Sequence, residues 1–299
     1  MVRKKKILVL FRAKDSKKTR KKNSAIWRWV EDCWADYDFE FWGRDYSIDG
    51  SYSFWDNNTL SEKEKLLRLK KKIDIFKPDY IYMTLRKGYD GWLPDLTNIT
   101  VPKIYVEVDS QYYDVNDPWY GQFDIIKCRE PSFNGWDKIP LFRWSVPEIA
   151  FPITEELRKG VYFIGQIRNS IYPMRKRLKR EFCTHIRFLK QQYKSQYWST
   201  MHRASCLVCP TESVFGNFTP AKLFEYLASG AAVLTNCDFK KAGIPEMKEF
   251  AIIYRDFIRS KSKRNMYAKL DIDFVPYYNK AIPAMREHTH RIRYKEIFG

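Results

Sequence analysis

Short runs rich in β-branched and aromatic residues recur along this chain, with stretches of helical apolar spacing between them. That alternation constrains the fold more than any other feature. Strands joined through helices pair in parallel and bury both faces of their sheet. In the first half the strand-like runs are Lys6–Phe11, Asp38–Trp42, Asp79–Met83, Pro102–Val108, Phe123–Cys128 and Leu141–Trp144. Helical spacing covers Ser24–Trp34 and Leu60–Phe76, and Pro78 ends the second of these. The lysines of that second helix read as a solvated face. Val146–Pro152 contains two prolines and reads as a linker.

After the linker the pattern restarts. Gly160–Gly165 reads as a strand, a basic helix follows Tyr172-Pro173, and Cys206–Pro210 is the next strand. A helix over Thr219–Gly230, a strand at Ala231–Thr235, a polar helix near Lys240–Lys248 and a strand at Phe250–Tyr254 follow. Ala281–Phe298 reads as a final helix. The expected fold is α/β, with two tandem Rossmann-like, doubly wound domains facing a cleft. The domains are expected over 1–148 and 153–275, with a C-terminal helix over 276–299 able to cross back to the first. Ligands in such folds bind at the carboxyl ends of the strands.

Charge adds a second constraint. Fifty-four basic against thirty-six acidic residues give +18, and residues 1–22 hold eleven Lys and Arg against Asp15 alone, a net +10. A block of that sign attracts nucleic acid, an anionic membrane or another acidic polymer. The alternative reading is a solubilising tail. A loop after a first strand lies at the carboxyl edge, so Arg12, Lys14, Lys17, Lys18 and Arg20 are expected to line the cleft and bind a polyanionic acceptor. Six scattered cysteines suit a reducing compartment, and neither a signal peptide nor a membrane-length apolar run is visible. A cytoplasmic location is expected.

The helix at 219–230 carries the chemistry. Thr219 suits the N-cap, Pro220 the first helical position and Gly230 a left-handed C-terminal position. Lys222 then sits in the first turn, where the helix dipole disfavours a cation unless an anion is also present. Gly165, Arg168 and Arg175 follow the first strand of the second half and form a second phosphate-competent element. The chain has no Gly-x-x-x-x-Gly-Lys-Ser/Thr loop and no Gly-x-Gly-x-x-Gly after its first strand, against a P-loop nucleotidase and a dinucleotide oxidoreductase.

No metal site is expected. Cys206 and Cys209, even with His202 nearby, would point to opposite faces of a strand. His288-x-His290 would not converge, and Asp271-Ile-Asp273 reads as a turn cap or surface. All four histidines lie in the second half, so a first-domain base would have to be a carboxylate such as Asp109. The other role for Asp109 is to cap Ser110–Tyr113.

The segment Tyr197–Pro210, the run Phe218–Thr235, Tyr162–Gly165, Tyr172–Arg175 and the tail Arg286–Arg293 resemble the donor half of GT-B glycosyltransferases, in particular the spore-maturation type. The resemblance covers the second half well and the first in outline. It implies a metal-independent enzyme that binds no cofactor and uses a nucleotide-diphosphate sugar such as UDP-glucose. The diphosphate would lie near Gly165, Arg168 and Lys222 and the ribose on Glu225, with Arg175 and Thr219 as further expected donor-binding residues. Retaining members of the superfamily carry two glutamates eight positions apart, and here the first position is Asn217, an amide that can still hold a sugar hydroxyl. The lack of a first-domain histidine favours retention, while inversion through Asp109 stays open. The acceptor expected from the basic block is DNA with hydroxymethylated bases, ahead of a lipid-linked or cell-surface saccharide at an anionic membrane. A basic nucleic-acid-binding protein with an inactive GT-B fold is the non-enzymatic alternative.

Overall fold

The computed structural model describes residues 3–10, 25–42, 60–84, 93–108, 110–129, 135–153, 157–165, 167, 172–189, 194–213, 216–217, 221–240, 244–254 and 269–299. The chain divides into two compact units. Unit 1 is Met1–Arg143 with Arg293–Gly299, and unit 2 is Trp144–Ile292.

Unit 1 is built on a parallel sheet of β1 (Lys5–Leu10), β2 (Tyr37–Trp42), β3 (Tyr80–Thr84), β4 (Lys103–Glu107) and β5 (Ile125–Cys128), in the order β2-β1-β3-β4-β5. Helix α1 (Ala25–Cys33) links β1 to β2, and α2 (Glu62–Phe76) precedes β3. The period of two along β1 sets the layers. Ile7 and Val9 pack with Trp29, Phe39 and Tyr82, whereas Leu8 and Leu10 pack with Leu69, Met83 and Tyr105 on the other face.

Two expectations change here. Leu141–Trp144 is not a strand: Leu141 makes a single bridge to Cys128, because Pro140 before it has no N–H with which to extend a ladder. The lysines of α2 are not all solvated. Lys65 is buried and pairs with Glu62 at 2.5 Å, and Lys72 reaches Glu40 of β2 at 2.6 Å. That helix starts at a capping box, in which Ser61 and Glu64 bond each other's backbone N–H, and it ends at Lys77 in the left-handed region.

Unit 2 repeats the plan. Its parallel sheet runs β12-β11-β8-β6-β7, with β6 (Val161–Ile164), β7 (Ile186–Leu189), β8 (Cys206–Cys209), β11 (Ala232–Thr235) and β12 (Ile252–Ile253). Helices α3 (Pro173–Phe182), α4 (Lys194–Arg203) and α5 (Ala221–Ala228) connect the strands, and a small antiparallel pair, β9 (Glu212–Ser213) and β10 (Gly216–Asn217), precedes α5. The sequence reading did not separate β7, α4 or this pair.

The stretch read as a linker is part of the unit 2 core, with Val146, Ala150 and Phe151 all buried there. The polar helix expected near Lys240–Lys248 is a 3-10 turn over Pro245–Phe250. The final helix is two, α6 (Ile282–Arg286) and α7 (His290–Phe298). Val146 causes the break: its N–H donates to the His288 carbonyl at 2.9 Å and its carbonyl accepts from His290 N at 3.0 Å, which takes those groups out of helical register. From Arg293 onward α7 belongs to unit 1, where Tyr294 stacks on Trp29 with centroids 4.1 Å apart.

Candidate functional site

The carboxyl ends of β6 and β8 lie side by side, and α5 supplies the side chains above them. Lys222, Glu225 and Tyr226 follow one another at helical spacing of three and four, so they share one face. Lys222 Nζ donates to the Ile164 carbonyl at 2.6 Å, and Tyr226 OH donates to the same oxygen at 3.2 Å. The last carbonyl of β6 thus holds two donors from α5.

Gly165 comes next, at φ +153°, where a Cβ would stand 2.8 Å from Lys222 Nζ. The glycine therefore makes room for the ammonium. Its own N–H donates to the Leu189 carbonyl at 3.0 Å. This amide extends the pairing with β7, so the loop brings Gly165 to the site as space for a cation.

Arg175 of α3 completes the positive group. Its guanidinium lies 3.5 Å above the Tyr172 ring and 5.7 Å from the Phe163 ring centroid. Burial pushes its pKa down, and the neighbouring Tyr172, Cys209 and Tyr226 partly oppose that shift. The charges of Lys222, Arg175 and Glu225 all act on Cys209, the last residue of β8. Burial dominates at that thiol and pushes its pKa up to about 12. Burial also pushes the Tyr226 phenol well above its ordinary value, so it stays a donor to Ile164.

Glu225 accepts a short hydrogen bond from Tyr197 OH of α4. Tyr197 is buried and packs edge-on to Trp198 at 4.8 Å. A tyrosine locked by packing fixes the carboxylate it bonds. At the other end of α5, Gly230 adopts φ +74°, and a Cβ there would fall 2.2 Å from Asn279 Oδ1.

The structure therefore brings Gly165, Arg175, Lys222 and Glu225 to one edge of the unit 2 sheet. Asn217 lies in β10, with its backbone paired to Glu212. Asp109, Arg168, Thr219 and the residues expected to bind the acceptor, Arg12, Lys14, Lys17, Lys18 and Arg20, lie outside the described residues. Tyr172, Tyr197 and Tyr226, which contact Arg175, Glu225 and the Ile164 carbonyl, are not among the expected site residues. For Tyr226 the signal was available, as it stands four residues after Lys222.

Cys206 packs on one side of the unit 2 sheet and Cys209 on the other, as strand alternation requires. His202 Nε2 lies 2.9 Å from the Ala150 carbonyl, and Asp273 accepts from Val275 N as a turn cap. Among the described residues no group of three or more His, Cys, Asp or Glu gathers that could hold a metal ion, and no helix is long and apolar enough to cross a membrane.

No protein-family profile and no curated protein sequence matches the chain. Solved structures do. A glycosyltransferase from Rickettsia africae is similar over 98% of this chain and 97% of its own, at TM-score 0.59 and 9% identity. AviGT4, a glycosyltransferase involved in avilamycin A biosynthesis, is similar over 98% and 96%, at TM-score 0.55 and 10% identity. The Staphylococcus aureus protein MnaA, solved with UDP, is similar over 98% and 95%, at TM-score 0.54 and 13% identity. At such identities the likeness is one of architecture, and the chain has the GT-B fold of two parallel α/β units.

Proposed function

We propose that this protein is a glycosyltransferase of the spore-maturation type that moves a sugar from a nucleotide diphosphate to an acceptor hydroxyl. The observation that carries the reading is the meeting of Lys222, Arg175 and the side-chain-free Gly165 at the carboxyl ends of β6 and β8. Two cations partly withdrawn from water favour a diphosphate, and favour it more as charge develops on it. During transfer the acceptor oxygen bonds to the anomeric carbon while the bond from that carbon to the diphosphate breaks. The diphosphate leaves with the electron pair, and the acceptor proton passes to a base. Asp109 is that base if configuration inverts; retention uses the leaving diphosphate itself, with Asn217 at the sugar. Glu225, oriented by Tyr197, holds the ribose hydroxyls.

Neighbours of this fold support the donor class, since two are named glycosyltransferases and a third was solved with UDP. The net +10 of residues 1–22 supports a polyanionic acceptor, for which we take DNA bearing hydroxymethylated bases ahead of a saccharide at an anionic membrane. The enzyme would act as a cytoplasmic protein without a bound metal.

The test is a screen of UDP-sugars with hydroxymethylated and unmodified DNA, followed by titration of Glu225→Ala. The variant is expected to raise the donor KM about tenfold, as for loss of one charge-assisted hydrogen bond. An unchanged KM removes the ribose assignment. Absence of UDP binding by the intact protein removes the donor reading altogether.

A further inference from the structure

The positive charge of this chain sits in two blocks. Residues 1–22 carry +10, and residues 173–190 carry seven basic residues against Glu181 alone, a net +6, which leaves +2 for all the rest. The second block is α3 with the strand β7 that follows it, and β7 is an edge strand of the unit 2 sheet. Arg175 of this block turns to the site described above, but most of the block does not. Lys176, Lys179 and Arg180 are exposed and fall at helical spacing of three and four, which puts them along one ridge of α3. Arg187 of β7 is also exposed, but it belongs to the other face of the sheet: Ile186 packs with α3, while the Arg187 guanidinium donates to Tyr162 OH at 3.3 Å on the opposite side.

The single carboxylate of the block offsets one of its seven cations. The Glu181 side chain is only 8% exposed and is held by Arg177 at 3.1 Å and Arg180 at 2.9 Å, while Arg180 itself remains 70% exposed. Residues 173–190 contribute no large exposed hydrophobic among the described residues. Such groups do appear elsewhere, for example Leu67 and Ile75 of α2. A lipid surface draws on apolar side chains inserted beside basic ones, whereas a phosphate backbone needs only the cations.

We propose that the outer face of α3, along Lys176, Lys179 and Arg180, is a docking surface for the phosphate backbone of duplex DNA, separate from the site at β6 and β8. The surface goes beyond the transfer reaction. It holds a long polyanion whether or not that polymer accepts a sugar, and it reads charge without reading sequence.

The experiment measures binding of a 30-base-pair duplex, roughly ten phosphate contacts or fewer, against salt concentration with the full chain. The triple variant Lys176→Gln, Lys179→Gln, Arg180→Gln is expected to flatten the plot of log K against log salt by about 2 to 3, since each phosphate contact contributes about 0.9. A second triple variant in α2, Lys63→Gln, Lys70→Gln, Lys71→Gln, removes the same charge from other exposed positions and is expected to change the slope by less than about one. UDP affinity of the α3 variant should equal that of the parent chain. Equal flattening by both triples would reduce the effect to net charge and overturn the proposal, as would an unchanged slope in the α3 variant. Sedimentation of the parent chain with phosphatidylserine vesicles, with no shift of duplex DNA, would overturn it in favour of a membrane. Because DNA binding is read directly, the result stands apart from the donor assignment: a chain that fails to bind UDP can still pass or fail this test.

Discussion

Single residues at the β6 edge do work that their type alone does not reveal. Gly165 is an example: its amide is already bonded to Leu189, and what it contributes is the space that Lys222 Nζ occupies. Replacing it with alanine would put a Cβ 2.8 Å from that ammonium, at a backbone angle L residues rarely adopt. We expect Gly165→Ala to weaken UDP binding at least tenfold while lowering stability by about 1–3 kcal/mol. Calorimetric titration with UDP beside thermal unfolding checks both, and a variant that binds UDP as tightly as the parent removes the role assigned to this glycine. The pairing of glycine with lysine was visible in the sequence as two phosphate-competent positions. Their direct approach was not, because it depends on where α5 packs over β6.

One part-buried cation, Arg158, joins several elements of unit 2. Arg158 donates to the carbonyls of His202 and Ala204 at 2.8 and 3.4 Å, and to Ser229 at 3.0 Å, so it serves the C-terminal ends of both α4 and α5. Carbonyls at helix ends lack intrahelical partners, and the dipole there favours a positive charge. Arg158 also donates to Asn279 Oδ1 at 3.2 Å, next to the left-handed Gly230. We expect Arg158→Met, which keeps much of the stem volume, to destabilise unit 2 by about 2–4 kcal/mol through the carbonyls it leaves unsatisfied. Urea unfolding followed by far-UV dichroism measures this, and a change under about 0.5 kcal/mol would show that water replaces the guanidinium without loss. Element type was legible where apolar runs were long, as in β1 and β4. It failed at Leu141, where a neighbouring proline blocks a ladder, and across 287–289, where a bridge to Val146 splits one helical pattern in two.

For the molecule as a whole, chain order and unit membership differ at the C-terminus. Tyr294, Ile297 and Phe298 fill the core that β1, β2 and α1 build, and Lys5 Nζ donates to the Phe298 carbonyl at 2.5 Å. A fragment of residues 1–143 would therefore leave an apolar face open. We expect it to lack sharp proton resonances and a cooperative unfolding transition, and to regain both when residues 293–299 are fused to it through a flexible linker. A cooperative transition in the bare fragment would mean that the tail covers this core without completing it.

The sequence by itself determined the class of fold, because hydrophobic periodicity is a local property that strands and helices must obey wherever they pack. It also determined the charge blocks and brought Lys222 forward as a residue out of place in a plain surface helix, with Gly165 in a second phosphate-competent element. Only the tertiary structure decided which groups meet: that Lys222 and Tyr226 share the Ile164 carbonyl, that Tyr197 holds Glu225, and that Val146 and Phe151 belong to a core instead of a linker. Those facts join residues tens of positions apart. Packing sets such distances, and no local pattern of residues encodes them.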